Sequence, residues 1–356
     1  MTTKYEALAQ AIRQAIADGV YRMGELLPTE EALTARFGVS RQTVRRALAL
    51  LADEGVIEKR QGSGSRVTGA MLSTRRRSVA VMLTYPDEYI YPMLLSDMKE
   101  TLAQSGYETV VFPTENRIES ERETLRRIAD GGFSGVIAEG VKTALPNPNL
   151  DLYAELRSAG VPLVFLHGAY PTLGDAARVD DGNYDGAYML TRYLIGRGHT
   201  RIGGIFKSDD EQGHRRYLGY VTALIDAHMP VPDEAVMWFS TGDKYAMLER
   251  GDMTRLRGYI RDGTKELSAV VAYNDEMAFH LIRELTAAQI DVPEKLAVVS
   301  FDNSHYCALC PVPITSLGHD GASAGTAAAE LLLDAISGKA PSVCKLQWTL
   351  HRRMSG

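Results

Sequence analysis

The 356-residue sequence has only three cysteines and two tryptophans, and it contains no apolar run of 18 residues. Three cysteines cannot cross-link a chain of this length, which favours a reducing, cytoplasmic environment over secretion. Without a long apolar run, we expect no segment to span a bilayer. The first residues, MTTKYEALAQAIRQAIADG, have the spacing of an amphipathic helix rather than of a signal peptide.

The composition is that of an ordinary globular protein. Hydrophobic residues make up 45% of the chain and charged residues 24%, which excludes a disordered, collagen-like or coiled-coil protein. A length of 356 residues suits two or three domains rather than one.

Positive charge is concentrated at one end of the sequence. Residues 1–78 contain 13 lysines and arginines against 8 acidic residues, a net charge of +5, whereas the other 278 residues carry 26 against 37, a net charge of −11. This asymmetry indicates that only the small basic segment meets a polyanion. Turn-rich and polar aperiodic stretches follow the basic segment, so we predict a first domain at 1–69, a linker at 70–78 and a second domain at 79–356.

Beyond residue 78 the sequence alternates between short apolar runs and helical periodicity. Continuous apolar runs indicate strands buried on both faces, as in a parallel α/β sheet. The predicted strands are 79–83, 109–112, 135–138, 163–166, 202–206, 270–272 and 297–301, and the predicted helices are 93–104, 119–129, 184–195, 276–288 and 323–336. So many strands exceed one small sheet, and we predict two doubly wound parallel-sheet subdomains.

The basic segment has the order of signals expected of a winged helix-turn-helix. After a first amphipathic helix, Thr29 caps a second helix that stops at Gly38, and Ser40 caps a third helix that runs to about Asp53. Basic and polar residues crowd the N-terminal turns of the third helix, the end that enters a major groove. Two strand-like runs around a glycine-rich tip follow and predict the wing.

Residues 5–67 resemble the GntR-type winged helix-turn-helix, and the match rests on LPTEEALTARFGVSRQTVRRALALLADEGVIEKRQGSGSRV. In the major groove arginine can read guanine and glutamine can read adenine. The resemblance implies a domain that binds double-stranded operator DNA. Its implied DNA-contacting residues are Lys4, Glu30, Arg41, Gln42, Thr43, Arg45, Gln61 and Gly62.

Acidic and amide side chains follow several predicted strands of the second domain. Glu139, Asn274 and Asp302 stand just beyond such strands, and in doubly wound sheets ligands bind beyond the carboxyl ends of the strands. Carboxylates and amides there suit a polyhydroxylated ligand, because each can pair with hydroxyl groups. Lys207 and Arg216 follow another predicted strand and can donate to sugar oxygens.

Residues 78–340 resemble the effector domain of the LacI/GalR family, which is shaped like periplasmic sugar-binding proteins. The segments GHTRIGGI and VPEKLAVVSFDNSHY are the most specific parts of the match. Together with a GntR-type domain, the chain resembles dimeric transcriptional repressors that L-arabinose releases from DNA, and GIFKSDDEQGHRR is the most particular local match to them. The resemblance implies that the chain crosses between the two subdomains near 175, 303 and 318. It also implies the effector-binding residues Tyr89, Glu139, His167, Lys207, Arg216, Tyr273, Asn274 and Asp302.

The sequence leaves alternatives open. Another pentose, a hexose or a phosphosugar would suit the same repressor, and a sugar-processing enzyme with an accessory DNA-binding domain is a second class of function. Asp275 is at least as suited to cap the following helix as to contact a ligand, and His167 could be a core histidine. An exported binding protein is disfavoured by the basic domain and by the missing signal peptide.

No catalytic or metal-binding pattern stands out in the sequence. A nucleophile elbow and a phosphate-binding loop are both missing. Cys307 and Cys310, with His305 nearby, fall short of the four ligands that a structural zinc site needs. We therefore expect no enzymatic activity, no metal and no cofactor.

Overall fold

The structure is a computed structural model that describes residues 4–17, 20–21, 24–53, 56–60, 64–68, 76–231, 233–321 and 323–356. The chain divides into two compact units, Met1–Arg77 and Ser78–Gly356. Among the described residues, no helix is long and apolar enough to cross a membrane.

Three helices and a two-stranded antiparallel sheet form the N-terminal unit. They are α1 (Lys4–Ala17), α2 (Glu30–Phe37), α3 (Arg41–Asp53), β1 (Ile57–Arg60) and β2 (Gly64–Val67). In the sheet, Ile57 lies opposite Val67 and Arg60 lies opposite Gly64. The unit therefore has the predicted winged helix-turn-helix fold.

Local hydrogen bonds set the helix ends of this unit. Thr29 Oγ1 accepts a hydrogen bond from the Ala32 backbone N–H at 3.2 Å, which caps α2. Gly38 ends α2 with a φ of 64°, a conformation that favours glycine. Ser40 Oγ accepts a hydrogen bond from the Thr43 N–H at 3.2 Å at the start of α3. The helices and the sheet share a buried apolar core that includes Ile12, Leu33, Val44, Leu51 and Val67.

Two sequence predictions fall at the end of this unit. The wing-tip residues Gln61 and Gly62, and residues 70–75 of the predicted linker, lie outside the described residues. The prediction that the linker extends to 78 is wrong. Residues 76–78 begin a strand, because Ser78 already pairs with Glu108 of the neighbouring strand.

Twelve strands and ten α-helices form the described part of the C-terminal unit. The strands are β3 (Arg76–Leu83), β4 (Glu108–Pro113), β5 (Phe133–Ala138), β6 (Leu163–Phe165), β7 (Ala177–Asp180), β8 (Ile202–Lys207), β9 (Val236–Phe239), β10 (Ala269–Ala272), β11 (Ala297–Phe301), β12 (Thr315–Gly318), β13 (Val343–Lys345) and β14 (Thr349–His351). The helices are α4 (Tyr91–Gln104), α5 (Ile118–Gly131), α6 (Leu150–Ser158), α7 (Asn183–Gly196), α8 (Glu211–Asp226), α9 (Thr241–Arg250), α10 (Thr254–Gly258), α11 (Asp275–Ala287), α12 (Tyr306–Leu309) and α13 (Ala324–Ile336).

The strands form two six-stranded sheets. The first has the order β13-β7-β6-β5-β3-β4 and the second the order β14-β12-β11-β10-β8-β9. In the second sheet every neighbouring pair is parallel except β12 and β14. We call the part built on the first sheet lobe 1 and the part built on the second sheet lobe 2.

Both faces of each sheet are covered, as the continuous apolar runs predict. In β3, Val79 and Val81 pack into one core of lobe 1, whereas Ala80 and Met82 pack into another. Residues of β10 alternate in the same way between two cores of lobe 2. Because successive side chains of a strand point to opposite faces, a strand that feeds two cores must be apolar throughout.

The chain passes between the lobes three times. The first crossover joins β7 to α7, the second joins β12 to α13, and the third joins β13 to β14. The prediction of a crossover near 303 is wrong, because β11 and β12 on either side of it are parallel neighbours in one sheet. The third crossover lies instead at 346–348, between two strands of only three residues each.

Candidate functional site

A cleft of about 820 Å³ lies between lobe 1 and lobe 2. Glu139 directly follows β5, Lys207 ends β8, Tyr273 directly follows β10, and Asp302 directly follows β11. The carboxyl ends of these strands therefore open into the cleft, the usual ligand position in doubly wound sheets. The structure brings together all eight residues predicted to bind an effector, and the cleft is lined by Tyr89, Glu139, His167, Lys207, Arg216, Tyr273, Asn274 and Asp302.

Glu139 is held inside lobe 1 by three hydrogen bonds. The Thr84 backbone N–H and hydroxyl donate to Oε2 at 2.7 and 2.6 Å, and the Tyr91 hydroxyl donates to Oε1 at 2.6 Å. Burial is the main reason that the pKa of Tyr91 lies well above its ordinary value, and the Glu139 carboxylate raises it further. Glu139 is therefore a fixed hydrogen-bond acceptor in the wall of the cleft.

His167 and Asp181 form a buried ion pair between lobe 1 and the first crossover. The distance between His167 Nδ1 and Asp181 Oδ2 is 2.9 Å. Burial disfavours the imidazolium, but the charge and hydrogen bond of Asp181 outweigh it and raise the pKa of His167 to about 9. Burial likewise disfavours the Asp181 carboxylate, but the imidazolium lowers its pKa to about 2. His167 is thus a charged side chain in the cleft rather than a neutral core histidine.

Lys207 and Tyr273 of lobe 2 meet at Asp210. The Lys207 Nζ lies 3.1 Å from Asp210 Oδ2, and the Tyr273 hydroxyl donates to the same oxygen at 2.7 Å. Although burial lowers the pKa of Lys207, Asp210 and Asp209 raise it above its ordinary value. Asp210 also accepts a hydrogen bond from the Gly213 N–H at 2.7 Å and so caps α8. Asp210 therefore connects Lys207, Tyr273 and the start of α8 in the wall of the cleft.

Arg216 lies on α8 with its guanidinium enclosed by lobe 2. Its Nε donates to Asn183 Oδ1 at 2.8 Å, one terminal nitrogen donates to the Tyr273 carbonyl oxygen, and the other lies 3.5 Å from Asp302 Oδ1. The Phe301 ring lies 4.1 Å below it. A planar cation stacked on an aromatic ring and aligned with a carboxylate is well placed to bind sugar oxygens.

Asn274 lines the cleft, but its side chain already has a structural role. Its Oδ1 accepts a hydrogen bond from the Met277 N–H at 3.0 Å and caps α11. The suggestion that Asp275 caps this helix is therefore wrong. Asp275 instead accepts hydrogen bonds from the hydroxyls of Ser300 and Ser316 and from the Ser304 N–H. The Asn274 amide nitrogen has no part in this cap and can donate to a ligand.

Several cleft residues were missed by the sequence predictions. They line the cleft and take part in the same hydrogen-bond networks as the predicted residues: Thr84, Tyr91, Asp181, Asp210 and Gln212. Asp181 could have been predicted from the sequence, because it directly follows β7 just as the other acids follow their strands. Tyr91 could not have been predicted, because nothing in the sequence places α4 beside Glu139.

Polar contacts also join the lobes at the rim of the cleft. Lys244 of α9 lies 3.6 Å from Glu88 Oε2 and 5.0 Å from the centre of the Tyr85 ring, both in lobe 1. The Asn116 amide of lobe 1 donates to Thr241 Oγ1 at 2.6 Å. The first turn of α9 therefore contacts lobe 1 directly.

In the N-terminal unit, acidic residues of α2 hold the arginines of α3. Arg45 Nε lies 2.8 Å from Glu30 Oε2, and Arg41 lies 3.1 Å from Glu31 Oε1. These arginine side chains are 70% and 66% exposed, so the pairs lie on the surface. Both arginines start from the N-terminal half of α3, which is the half that reads bases in a helix-turn-helix.

The remaining predicted DNA contacts are distributed over the same unit. Lys4 and Gln42 are exposed, and the Thr43 hydroxyl lies 2.8 Å from Ser40 Oγ. Lys4 begins α1, whereas Gln42 and Thr43 lie in the first turn of α3. The first turn of α3 therefore presents polar side chains beside the two arginines.

The described residues contain no group of three or more potential metal ligands. Cys307 and Cys310 are free and buried, and burial raises the pKa of both thiols. Neither thiol is activated in the way that a nucleophile or a metal ligand requires.

Two families account for the two units, and together they define a one-chain transcriptional regulator. Residues 4–67 match the bacterial regulatory proteins of the gntR family, and residues 191–355 match the periplasmic binding protein-like domain. A transcriptional regulator CelR–cellobiose complex has a similar fold, with a TM-score of 0.69 over 93% of this chain and 100% of that one, at 24% identity. The class is therefore a gntR-type DNA-binding domain joined to a periplasmic-binding-protein-like domain.

Two relatives extend over nearly the whole chain. The arabinose metabolism transcriptional repressor of Halalkalibacterium halodurans is 30% identical over 94% of this chain and 90% of the relative. The protein of the same name from Geobacillus stearothermophilus is 31% identical over 98% of this chain and 95% of the relative. The chain belongs to the family of arabinose metabolism transcriptional repressors. It is a transcriptional repressor and not an enzyme.

Proposed function

We propose that the chain is a cytoplasmic, dimeric repressor whose α3 and wing bind operator DNA and whose cleft binds L-arabinose, which releases the operator. The relatives that span nearly the full chain are named for arabinose metabolism. The observation that carries the sugar assignment is the cleft itself, where fixed carboxylates, an imidazolium and a guanidinium converge from both lobes. Such donors and acceptors match the hydroxyls of a small polyol.

The charge of the cleft favours a neutral sugar over a phosphosugar. Three lysines and arginines line it, namely Lys207, Arg216 and Lys244, and the protonated His167 adds a fourth positive charge. Seven carboxylic acids oppose them: Asp97, Glu139, Asp181, Asp210, Glu276, Asp302 and Glu330. A phosphate group would add negative charge to a lining in which acids already outnumber bases, which is unfavourable.

In this proposal, the three crossovers link sugar binding in the cleft to DNA binding by the N-terminal unit. The lobes are separate compact cores joined by three short segments, so a sugar held by both lobes fixes the angle between them. In a dimer this angle sets the spacing of the two DNA-binding units, and half-sites must be met about 34–36 Å apart or at multiples of that distance. A coupling free energy of about 1–3 kcal/mol weakens operator binding roughly 5–150-fold.

Operator binding with and without sugar tests this function. The DNA is selected from a random-sequence library with the full-length chain, and the dissociation constant is then measured by fluorescence anisotropy. L-arabinose at saturation should weaken binding about 5–150-fold, whereas D-xylose, D-ribose and galactose at the same concentration should have little effect. Equal affinity with and without L-arabinose would contradict the proposal.

The same titration separates the alternative effectors. A hexose or another pentose that releases the DNA when L-arabinose does not would keep the repressor and change its signal. Release by a phosphosugar alone would contradict the argument from the charge of the cleft. Calorimetry with each sugar in the absence of DNA then shows whether the effect begins with binding to the protein.

A further inference from the structure

Asp181 lies at the first crossover and holds one side chain from each lobe. Its Oδ2 accepts a hydrogen bond from His167 Nδ1 and another from Gln212 Nε2, both at 2.9 Å. His167 belongs to lobe 1, and Gln212 belongs to α8 of lobe 2. All three side chains line the cleft. A single carboxylate oxygen thus joins the two lobes at the point where the chain passes between them.

Two atoms of this cluster are buried and have no hydrogen-bond partner in the part of the chain that the structure describes. They are His167 Nε2 and Asp181 Oδ1. The two side chains are 10% and 4% exposed. Buried polar atoms nearly always have a partner, so His167 Nε2 points to a ligand that supplies one. A hydroxyl group can accept a hydrogen bond, so a sugar hydroxyl suits this atom.

We propose, on the basis of the proposed sugar-binding function, that Asp181 is a positioning residue of the cleft, which fixes His167 so that its Nε2–H donates to a sugar hydroxyl. Because Oδ2 accepts from Nδ1, the ring is held with its second nitrogen directed away from Asp181. An ionised donor forms a stronger hydrogen bond than a neutral one. Asp181 therefore determines both the direction and the charge of this donor.

The pH dependence of sugar binding can separate the effect of Asp181 on His167 from that of the other groups around the imidazole. The titratable groups that face the imidazole are Asp181 at the crossover, Glu139 after β5, Asp302 after β11 and Tyr91 of α4. Asp181 is the only one of these in hydrogen-bond contact with the ring in the described chain. An amide at 181 keeps the burial of His167 but removes the nearest charge, so the pKa of His167 should fall from about 9 to near or below its ordinary value of 6.5.

The test is calorimetry of L-arabinose binding to the full-length chain between pH 5.5 and 9.5. The unmodified chain should bind with constant affinity from pH 6.5 to 8 and about 5-fold more weakly above pH 9, where His167 loses its proton. Asp181→Asn should bind about 5-fold more weakly at pH 8 and recover towards the unmodified affinity at pH 5.5. Asp275, with a pKa of about 6, titrates in the same range. Because Asp275 is present in both proteins, the result is expressed at each pH as the dissociation constant of Asp181→Asn divided by that of the unmodified chain.

Asp180→Asn is the matched control, because Asp180 is the adjacent acid and its side chain accepts a hydrogen bond from the Gly182 N–H rather than from His167. It should leave the pH profile unchanged. His167→Gln should remove the decline above pH 9, which tests the proposal even if Asp181→Asn does not fold. A loss of affinity in Asp181→Asn that is equal at every pH would overturn the proposal. If the unmodified chain binds neither L-arabinose nor another monosaccharide, the proposed function itself fails.

Discussion

The Tyr89 hydroxyl donates a hydrogen bond to Asp302 Oδ2 across the cleft, at a distance of 2.7 Å. Tyr89 precedes α4 in lobe 1, and Asp302 follows β11 in lobe 2. Both residues have a positive φ, of 53° and 95°, and such conformations persist only where the surrounding structure holds them. The contact therefore joins the lobes through an acid that we also propose as a sugar ligand.

Tyr89→Phe removes this contact and should let the lobes move apart in the sugar-free chain. A hydrogen bond to a charged acceptor contributes about 1.5–3 kcal/mol, which is enough to shift the equilibrium towards an open cleft by tenfold or more. Distances between spin labels at the exposed positions Arg126 of lobe 1 and Glu249 of lobe 2 report the change. Tyr85→Phe is the control, because its hydroxyl donates within lobe 1, to the Glu115 carbonyl oxygen. An unchanged distance distribution in Tyr89→Phe would contradict the prediction.

Asp302→Ala should give a repressor that binds DNA but no longer responds to sugar. The change removes an acceptor from the cleft and leaves the Arg216 guanidinium without its carboxylate neighbour. We expect sugar affinity to fall about 10–100-fold, measured by calorimetry, with normal operator affinity in the absence of sugar. As a control, Asp334→Ala changes a half-buried acid of α13 that pairs with Lys339, and it should behave like the unmodified chain. Normal release of DNA by sugar in Asp302→Ala would mean that the cleft is misassigned.

Arg45→Ala should weaken operator binding by about 1–3 kcal/mol if the guanidinium reads a base. The side chain is exposed and held by Glu30 at the N-terminal half of α3. Anisotropy titrations against the operator and against variants at each position should show relaxed specificity at one base pair. Sugar affinity of the same variant is the control for folding and should not change. A uniform loss over all sequences, with a smaller salt dependence, would assign Arg45 to a phosphate instead.

Glu121→Leu should destabilise the C-terminal unit by at least about 3 kcal/mol. Glu121 is fully buried and accepts hydrogen bonds from the side chains of Asn147, Asn149, Tyr153 and Tyr170. The Tyr170 hydroxyl keeps the Val141 carbonyl oxygen as an acceptor, but leucine would leave the Tyr153 hydroxyl and one amide N–H each of Asn147 and Asn149 unpaired, at about 1–3 kcal/mol each. Urea unfolding followed by tryptophan fluorescence measures the effect, because both tryptophans belong to this unit.

The neighbouring Glu119→Gln provides the comparison for Glu121. Glu119 lies in the same helix but is exposed and pairs with Arg117 on the surface, and exposed ion pairs contribute little. Its substitution should change the free energy of unfolding by less than about 0.5 kcal/mol. Similar effects of the two substitutions would show that the buried hydrogen bonds are not the cause.

The stability of the C-terminal unit should depend on Asp275 between pH 4 and pH 6. Burial raises the pKa of Asp275 to about 6, so the folded chain keeps a proton that the unfolded chain loses near pH 4. The folded state is therefore destabilised as the pH rises through this window, by on the order of 3 kcal/mol. Relative to the unmodified chain, Asp275→Asn should gain stability from pH 4 to pH 7 in urea unfolding. A constant difference between the two proteins would contradict the raised pKa.

The DNA-binding unit could be predicted from sequence because its signals are local. The Thr29 cap, the left-handed Gly38 and the Ser40 cap each act within four residues, and the structure has all three. The strands of the second unit could be predicted for a related reason. Their apolar runs reflect burial on both faces, which holds whatever the order of the strands in the sheet.

The partners inside the cleft could not be predicted in the same way. Asp180 and Asp181 are adjacent and equally acidic, yet Asp180 stabilises a turn and Asp181 holds His167. Only the position of the crossover separates these roles. The third crossover was missed because β13 and β14 have three residues each and no continuous apolar run.

The three passages of the chain between the lobes also mean that neither lobe is a continuous stretch of sequence. Lobe 1 needs α13 and β13, which come after the whole of α7 to β12 in lobe 2. A truncation that ends anywhere between 181 and 323 would expose the face of the first sheet that α13 covers. The two halves of the binding cleft must consequently be made as one chain, and the lobes cannot be separated by cutting at a single boundary.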